Sequence, residues 1–339
     1  MPPLPPLGFP PQSDQAQFRS LLSQLRTRGE TVAQEAVTSR AADPAKSLGG
    51  AVGEAIEIQR TLTDLDDYGQ AIALAETRAG LAQTSLSTAV TLADEVFASV
   101  TLALQSESPV ARDTAGREAQ EALGRAVAAL NVSLGGRGLF AGDSAGGPPL
   151  SAPETILAET TAVLSAAPGA AAASAALRDA FDDPAGLYAT TLYQGGTGNA
   201  PPLEARPGER IAYQARADEP PVRDLLRALS ALAAAFNPSN AIAENDRPLI
   251  AERAAADLQA ASAGLTAMRA RIGSAEERIA TVKTENTALE TALTVRTNDL
   301  IGRDPTVAAA ELQAVETQLE TLFLTTARFN QLSLANFLR

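Results

Sequence analysis

The sequence predicts a mainly α-helical, elongated molecule in which long helices pair antiparallel as a bundle or coiled coil, with a small α+β region inserted in the middle of the chain. Three observations predict it. Apolar residues recur at alternating steps of three and four over long stretches near both ends. Only 4% of the 339 residues are aromatic, tryptophan is absent and alanine is abundant, which suits helices sharing narrow seams better than a compact globule. Glycine, proline and strand-like segments are gathered in the middle.

Taken in order, prolines at 2, 3, 5, 6, 10 and 11 keep residues 1–13 extended. In 14–45, Phe18, Leu22, Leu25, Gly29, Val32 and Ala36 place one apolar stripe on a helix. Asp43-Pro44 stops it, because the residue before proline avoids helical angles. Residues 46–134 carry a second stripe from Ile58 through Leu65, Ile72, Ala79, Leu86, Ala93 and Val100 to Leu104. A helix from about 48 to 106 would be roughly 85 Å long. Ser108-Pro109 closes it, and a shorter helix with Leu123, Val127 and Leu130 on one face follows.

The segment 135–240 is different material. It opens on a glycine and proline cluster and continues through one or two alanine-rich helices over 154–181. Two strand-like pieces follow, "LYATTLYQG" and "ERIAYQARA", with "GGTGNAPPLEARPGE" as a wide turn between them. Tyr188, Leu192 and Tyr193, then Ile211, Tyr213 and Ala215, supply a partial period of two. Pro220-Pro221 starts an amphipathic helix that ends near Asn237-Pro238.

Residues 241–303 hold a regular heptad seam. Leu258, Leu265, Ile272, Ile279, Asn286, Leu293 and Leu300 sit seven apart, with Ala261, Met268, Ala275, Val282 and Leu289 at the companion positions. Asn286 has two readings, a polar position that fixes coiled-coil register or a solvated insertion in the seam. After Asp304-Pro305, residues 304–339 carry Leu312, Val315, Leu319, Leu322, Thr326 and Phe329 on one stripe, and Phe337 near the end. A short and a long helix at the start thus mirror a long and a short helix at the end, which implies antiparallel pairing.

Composition also excludes. The formal net charge of −13 opposes attraction to nucleic-acid phosphates or anionic lipid. The absence of cysteine and histidine removes thiolate nucleophiles, disulfides, imidazole bases and the commonest zinc ligands. No uninterrupted apolar run approaches the roughly 20 residues of a membrane helix, and the proline-rich head lacks the pattern of a cleaved signal. No enzyme, cofactor, metal, nucleic-acid partner or membrane insertion is therefore expected. Gly136-x-Gly138-x-x-Ala141 spells a dinucleotide fingerprint, but a helix leads into it where a strand is required. These glycines are expected to supply positive φ for a tight turn, with Leu139 and Phe140 as anchors. Asp64, Asp66 and Asp67, and Asp182-Asp183, are expected to be solvated.

Terminal helices of about 30 residues with one apolar stripe are marginal alone and need partners. Phe18, Leu22, Leu25, Val32, Leu312, Val315, Leu319, Leu322, Phe329 and Phe337 are accordingly expected to pack against other copies of the chain.

Several of these segments look familiar. The chain resembles the flagellin superfamily, and within it the hook-associated proteins that join hook to filament, from about Phe18 to Arg339. "TSRAADPAKSL" is similar to the family's bend after the first helix, where Asp-Asp-Pro-Ala is common; Asp43, Pro44 and Ala45 match and Ala42 replaces the first aspartate. "LNVSLGGRGLFAG" resembles an Asn-Gly-Arg-Tyr-Leu-Phe-Ala/Ser-Gly turn element through Gly136, Arg137, Leu139, Phe140, Ala141 and Gly142. Gly135 stands where asparagine is usual and Gly138 where tyrosine is usual. "FNQLSLANFLR" resembles the ending of the junction proteins, and the proline-rich head departs from the family pattern.

The resemblance implies an extracellular axial subunit of the flagellum, exported without a cleaved signal. The terminal helices would form the inner core of a tube, the long helices its next shell and the middle an outer domain. Its partners would be other copies, hook-side and filament-side axial proteins, and an export chaperone on the C-terminal helix. A filament flagellin is the alternative within the family. A secreted coiled-coil effector or adhesin is the alternative outside it.

Overall fold

Oxygen-bearing caps followed by proline set where the helices begin. The computed structural model describes residues 12–337 except 107, 145, 213 and 214, without the side chains of 12–15, 44, 45 and 329–337. The described chain is mainly α-helical with a few short strands. Helix α1 (Gln12–Thr38) begins inside the stretch expected to be extended, and residues 1–11 lie outside the described residues. Asp43 caps α2 (Pro44–Leu48) by accepting from the Lys46 amide at 3.1 Å. Ser108 does the same for α4 (Pro109–Leu130). Asp304 accepts from the Thr306 amide at 2.8 Å at the start of α9 (Pro305–Phe337). In each case the cap oxygen satisfies an orphan amide, and proline occupies a position whose missing N–H costs nothing.

Two helices of 55 residues dominate, α3 (Val52–Ser106) and α8 (Arg247–Ile301). The described residues divide into two compact units. One holds the chain up to Leu65 and from Thr287 onward, and the other is Asp66–Asn286.

In the second unit, α3 buries two columns at heptad spacing, Ile72, Ala79, Leu86, Ala93 and Val100 beside Ala75, Ala82, Ala89, Val96 and Ala103. The heptad positions Leu258, Ala261, Leu265, Met268, Ile272, Ile279 and Val282 of α8 are buried as expected of a seam. Polar ties fix the direction of the pair. Asp94 accepts from Ser262 at 2.7 Å, the Gln83 side-chain amide donates to the Arg269 carbonyl at 2.8 Å, and Glu76 meets Lys283 at 2.8 Å, so the helices run antiparallel. By length and composition α3 includes a stretch that could cross a membrane, and 39% of that stretch is buried inside the protein.

Beside these helices sit α4, α5 (Pro153–Ala166), α6 (Ala170–Asp182) and α7 (Pro220–Phe236). Helix α7 packs against α4, α5 and α6, and every residue from Leu225 to Phe236 is buried. A helix enclosed on every side over three turns belongs in a core. Its one buried hydroxyl is satisfied, since Ser230 donates to the Leu226 carbonyl at 2.7 Å and bonds Thr160 at 3.0 Å.

The middle segment departs from its expected strands. Tyr188–Leu192 forms one π-helical turn, where the sequence reading placed a strand. Tyr188 and Leu192 are both buried while the residues between them are exposed, so the spacing of four follows a helical turn. The Tyr188 hydroxyl donates to the Ala217 carbonyl, and its ring stacks on Tyr193 at 6.3 Å. The second expected piece survives as β4 (Glu209–Ile211), with Tyr213 outside the described residues. Its antiparallel partner β3 (Leu203–Arg206) lies inside the segment read as a wide turn. The real turn is Pro207-Gly208, with Gly208 at φ 76°.

Close approach of α4 to α7 yields a test. A Cβ added at Gly116 would lie 2.7 Å from the Phe236 Cβ, whereas one at Gly124, on the same helix, would meet nothing within 4 Å. Gly116→Ala should destabilise the protein by about 1–3 kcal/mol through overpacking. Gly124→Ala should stabilise it by about 0.5–1 kcal/mol through helix propensity. Urea unfolding of the two variants, with opposite shifts in midpoint, checks both.

Candidate assembly surface

The first and last helices of the chain find each other. Within the first unit α1 packs along α9. Arg28 meets Glu311 at 2.5 Å, Arg303 lies 3.5 Å from Glu35, and the Arg26 guanidinium stands 6.0 Å over the Phe323 ring, so the pair is antiparallel. A Cβ at Gly29 would touch Val315 at 3.4 Å, which puts the two predicted stripes face to face. Val32 and Val315 are buried, and Phe18, Leu22, Leu25, Leu312, Leu319 and Leu322 are half-buried. The side chains of Phe329 and Phe337 lie outside the described residues.

The stripes expected to meet other copies therefore meet each other first. Each helix has one apolar face, and pairing within the chain covers it only in part. The apolar side chains left most open are others, missed in the sequence because they sit off the stripe: Leu21 (45% exposed), Val37 (86%), Val307 (53%), Phe323 (48%) and Leu324 (61%).

Two chain breaks lie side by side at one end of this pair. Helix α1 stops at Ser39, a non-glycine residue at φ 53°, in the left-handed conformation common just past helix ends. The Ser39 carbonyl accepts from the Arg303 amide at 3.0 Å, and the Ile301 carbonyl accepts from the Ala41 amide at 2.9 Å, forming a short antiparallel bridge around Arg40 and Gly302. Glu35 reinforces it by accepting from the Ala42 amide at 3.0 Å, and Arg303 also pairs with Glu311. Both Asp-Pro corners are thus tied to one another through Arg303.

The turn element lies in the second unit. Strands β1 (Ser133–Leu134) and β2 (Arg137–Gly138) form a hairpin around Gly135 and Gly136, at φ 62° and 80°. Two consecutive positive φ angles are what a two-residue hairpin turn demands. Leu139 and Phe140 are buried, and Arg137 donates to the Gly142 carbonyl at 3.2 Å. Gly142 has φ 62°, and a Cβ there would meet the carbonyls of Gly198 and Gly196 at 2.5 and 2.6 Å. Asn131, at the end of α4, donates to and accepts from the Leu150 backbone, at 3.0 and 2.9 Å.

Asn286 follows neither of its two readings. Its amide donates to the Ala205 carbonyl at 3.0 Å and holds the β3/β4 hairpin on α8. Asp64, Asp66 and Asp67 are exposed, while Asp182 pairs with Arg227 at 3.3 Å and Asp183 accepts from the Ala185 amide at 2.8 Å. Among the described residues no group of carboxylates is arranged to hold a metal ion.

No family model matches the chain, and no curated protein matches it by sequence. Solved structures do match. One is the crystal structure of FlgL from Bacillus cereus, at a TM-score of 0.53 and 17% identity, covering 72% of this chain and 100% of that one. Another is described as a flagellar hook-associated protein from Vibrio parahaemolyticus, at a TM-score of 0.51 and 12% identity, covering 74% and 98%. The chain has the fold of flagellar hook-associated proteins. The fold class expected from the resemblance is thus the one observed, and the likeness spans essentially the whole of both matched chains.

Folding shifts the acidity of carboxylates in both units. In the first, the hydrogen bond from Arg28 holds Glu311 below the ordinary value of 4.5, that from Arg296 does the same for Glu54, and the Thr306 hydroxyl lowers Asp304 below 3.8. In the second, burial pushes Asp218 and Asp224 up, while Glu209, against a desolvation cost, is held below 4.5 by its bonds to Arg206 and Arg278. A carboxylate lowered by folding contributes stability that is complete above its unfolded value and lost as pH falls through its folded value; a raised one works in the opposite sense. On acidification from about pH 5 towards about pH 3, the α1/α9 pair should therefore lose amide protection before α7. Residue-resolved hydrogen exchange across that range checks the order.

Proposed function

We propose that this chain is an axial structural subunit of the bacterial flagellum that forms the junction between hook and filament by helical self-assembly of its terminal helices. The observation that carries the reading is the α1/α9 pair, with half-covered stripes and with Leu21, Val37, Val307, Phe323 and Leu324 left open. Neighbouring copies would cover the open edges, each large side chain contributing about 1.5–3 kcal/mol once fully buried. The fold shared with two hook-associated proteins supports it, as does the turn element from Gly136 to Gly142, which resembles that of junction proteins. The function is mechanical, adapting one tube to the next, with no chemical step assigned to any side chain.

Partners under this reading are other copies of the chain, the axial proteins on the hook and filament sides, and an export chaperone on α9. Location is extracellular, after export without a cleaved signal. Phe18, Leu22, Leu25, Val32, Leu312, Val315, Leu319 and Leu322 support the subunit packing by holding α1 to α9, and Phe329 and Phe337 are assigned to the same packing from the sequence.

Deleting residues 310–339 removes most of α9 and leaves Asp66–Asn286 intact. The truncated protein should keep the unfolding transition of the second unit by circular dichroism, yet be absent from purified flagella by immunoblot. Its incorporation would overturn the reading. Gold labelling of the full chain at the base of the filament supports a junction subunit, labelling along its whole length a filament flagellin, and labelling away from flagella an effector or adhesin.

A further inference from the structure

Helix α7 carries one arginine into the interior. The Arg227 side chain is only 6% exposed, and its terminal nitrogens are occupied by Asp224 on the preceding turn at 2.6 Å, Asp182 at the end of α6 at 3.3 Å and Asp257 on α8 at 3.4 Å. A guanidinium has five N–H donors, and Nε carries one of them. That nitrogen is buried and has no hydrogen-bond partner within the protein. The Ser174 hydroxyl on α6 is in the same condition. Both residues line one cavity among α5, α6, α7 and α8, with apolar walls from Leu164, Leu177 and Ile250 and about 10 Å³ of room.

Buried polar atoms in native proteins nearly always have a partner, protein or water. Two unpaired atoms lining one cavity that measures about one water are a built site. We propose that this cavity binds a single structural water, which accepts from the Arg227 Nε–H and hydrogen-bonds the Ser174 hydroxyl. Charge selects water over an ion. An anion would face Asp257 in the cavity wall, and a cation would face Arg227 and Arg253. A small neutral molecule that both donates and accepts meets neither repulsion, and the room matches about one water. The water completes the solvation of the buried guanidinium and ties α6 to α7 where Asp182, Asp224 and Asp257 already converge.

Two variants separate a wet cavity from a dry one. Ser174→Val puts a methyl where the water sits and strands the Arg227 Nε–H, so the thermal midpoint should fall by roughly 2–6 °C. Ser174→Ala keeps the room, and should change the midpoint by less than about 2 °C. In a dry cavity Ser174→Val removes an unpaired hydroxyl and fills a void, so a rise in midpoint overturns the proposal. A crystal structure of the full chain at about 1.5 Å resolution should show one density peak within roughly 2.7–3.2 Å of both atoms. A cavity without density there overturns it as well.

Discussion

Helix α7 can be enclosed only because the helices around it approach closely enough to do without side chains at the points of contact. Gly116 of α4 lies against the Phe236 Cβ, and Gly264 of α8 lies against the Pro221 ring; a Cβ at either would be 2.7 Å from its neighbour. Alanine extends the same logic along α3, where small residues recur at heptad spacing in both buried columns. Dispersion attraction falls steeply with distance, so short side chains stabilise a helix pair only when the backbones draw near. The scarcity of aromatic residues follows from this geometry. Those that are fully buried, Phe140, Phe181 and Tyr188, fill the irregular region where the turn element and the π-helical turn meet the helices.

Close packing limits where charge can be buried. The inner face of α7 has one guanidinium, and three carboxylates from three helices surround it. Removing the guanidinium would leave three carboxylates facing one another where water reaches them only in part. The rest of the strongly acidic surface stays in water, so the raised carboxylates of the second unit are those that burial reaches. In the first unit arginines and a threonine hydroxyl reach the carboxylates instead.

The terminal helices face a different constraint. Two helices side by side can each bury one face, and the other faces remain in solvent. Fixing the two chain breaks against each other through Ser39, Ala41, Ile301 and Arg303 brings the ends of the sequence together in a defined register. That register aligns the stripes and leaves Leu21, Phe323 and Leu324 outside them. The residues that hold α1 to α9 thus decide which apolar side chains stay open.

Much of this was legible in sequence because it depends on local rules. Heptad and stripe periodicity located α1, α3, α8 and α9, Asp-Pro and Ser-Pro marked the breaks between helices, and the glycines of Gly136-x-Gly138 announced a turn ahead of the anchors Leu139 and Phe140, although the positive φ angles fall at Gly135 and Gly136 and not at Gly138. The absence of cysteine and histidine bounded the chemistry. What sequence left undecided was every question of which surface covers which. Tyr188, Leu192 and Tyr193 fit a strand or a helical turn equally well until the Ala217 carbonyl claimed the Tyr188 hydroxyl. Asn286, polar in a seam, holds a hairpin distant in sequence, and the mirrored lengths of the end helices implied antiparallel pairing without showing which apolar side chains that pairing leaves open. Periodicity records how a segment is turned towards apolar surroundings, whereas only the folded chain specifies whose surface those surroundings are.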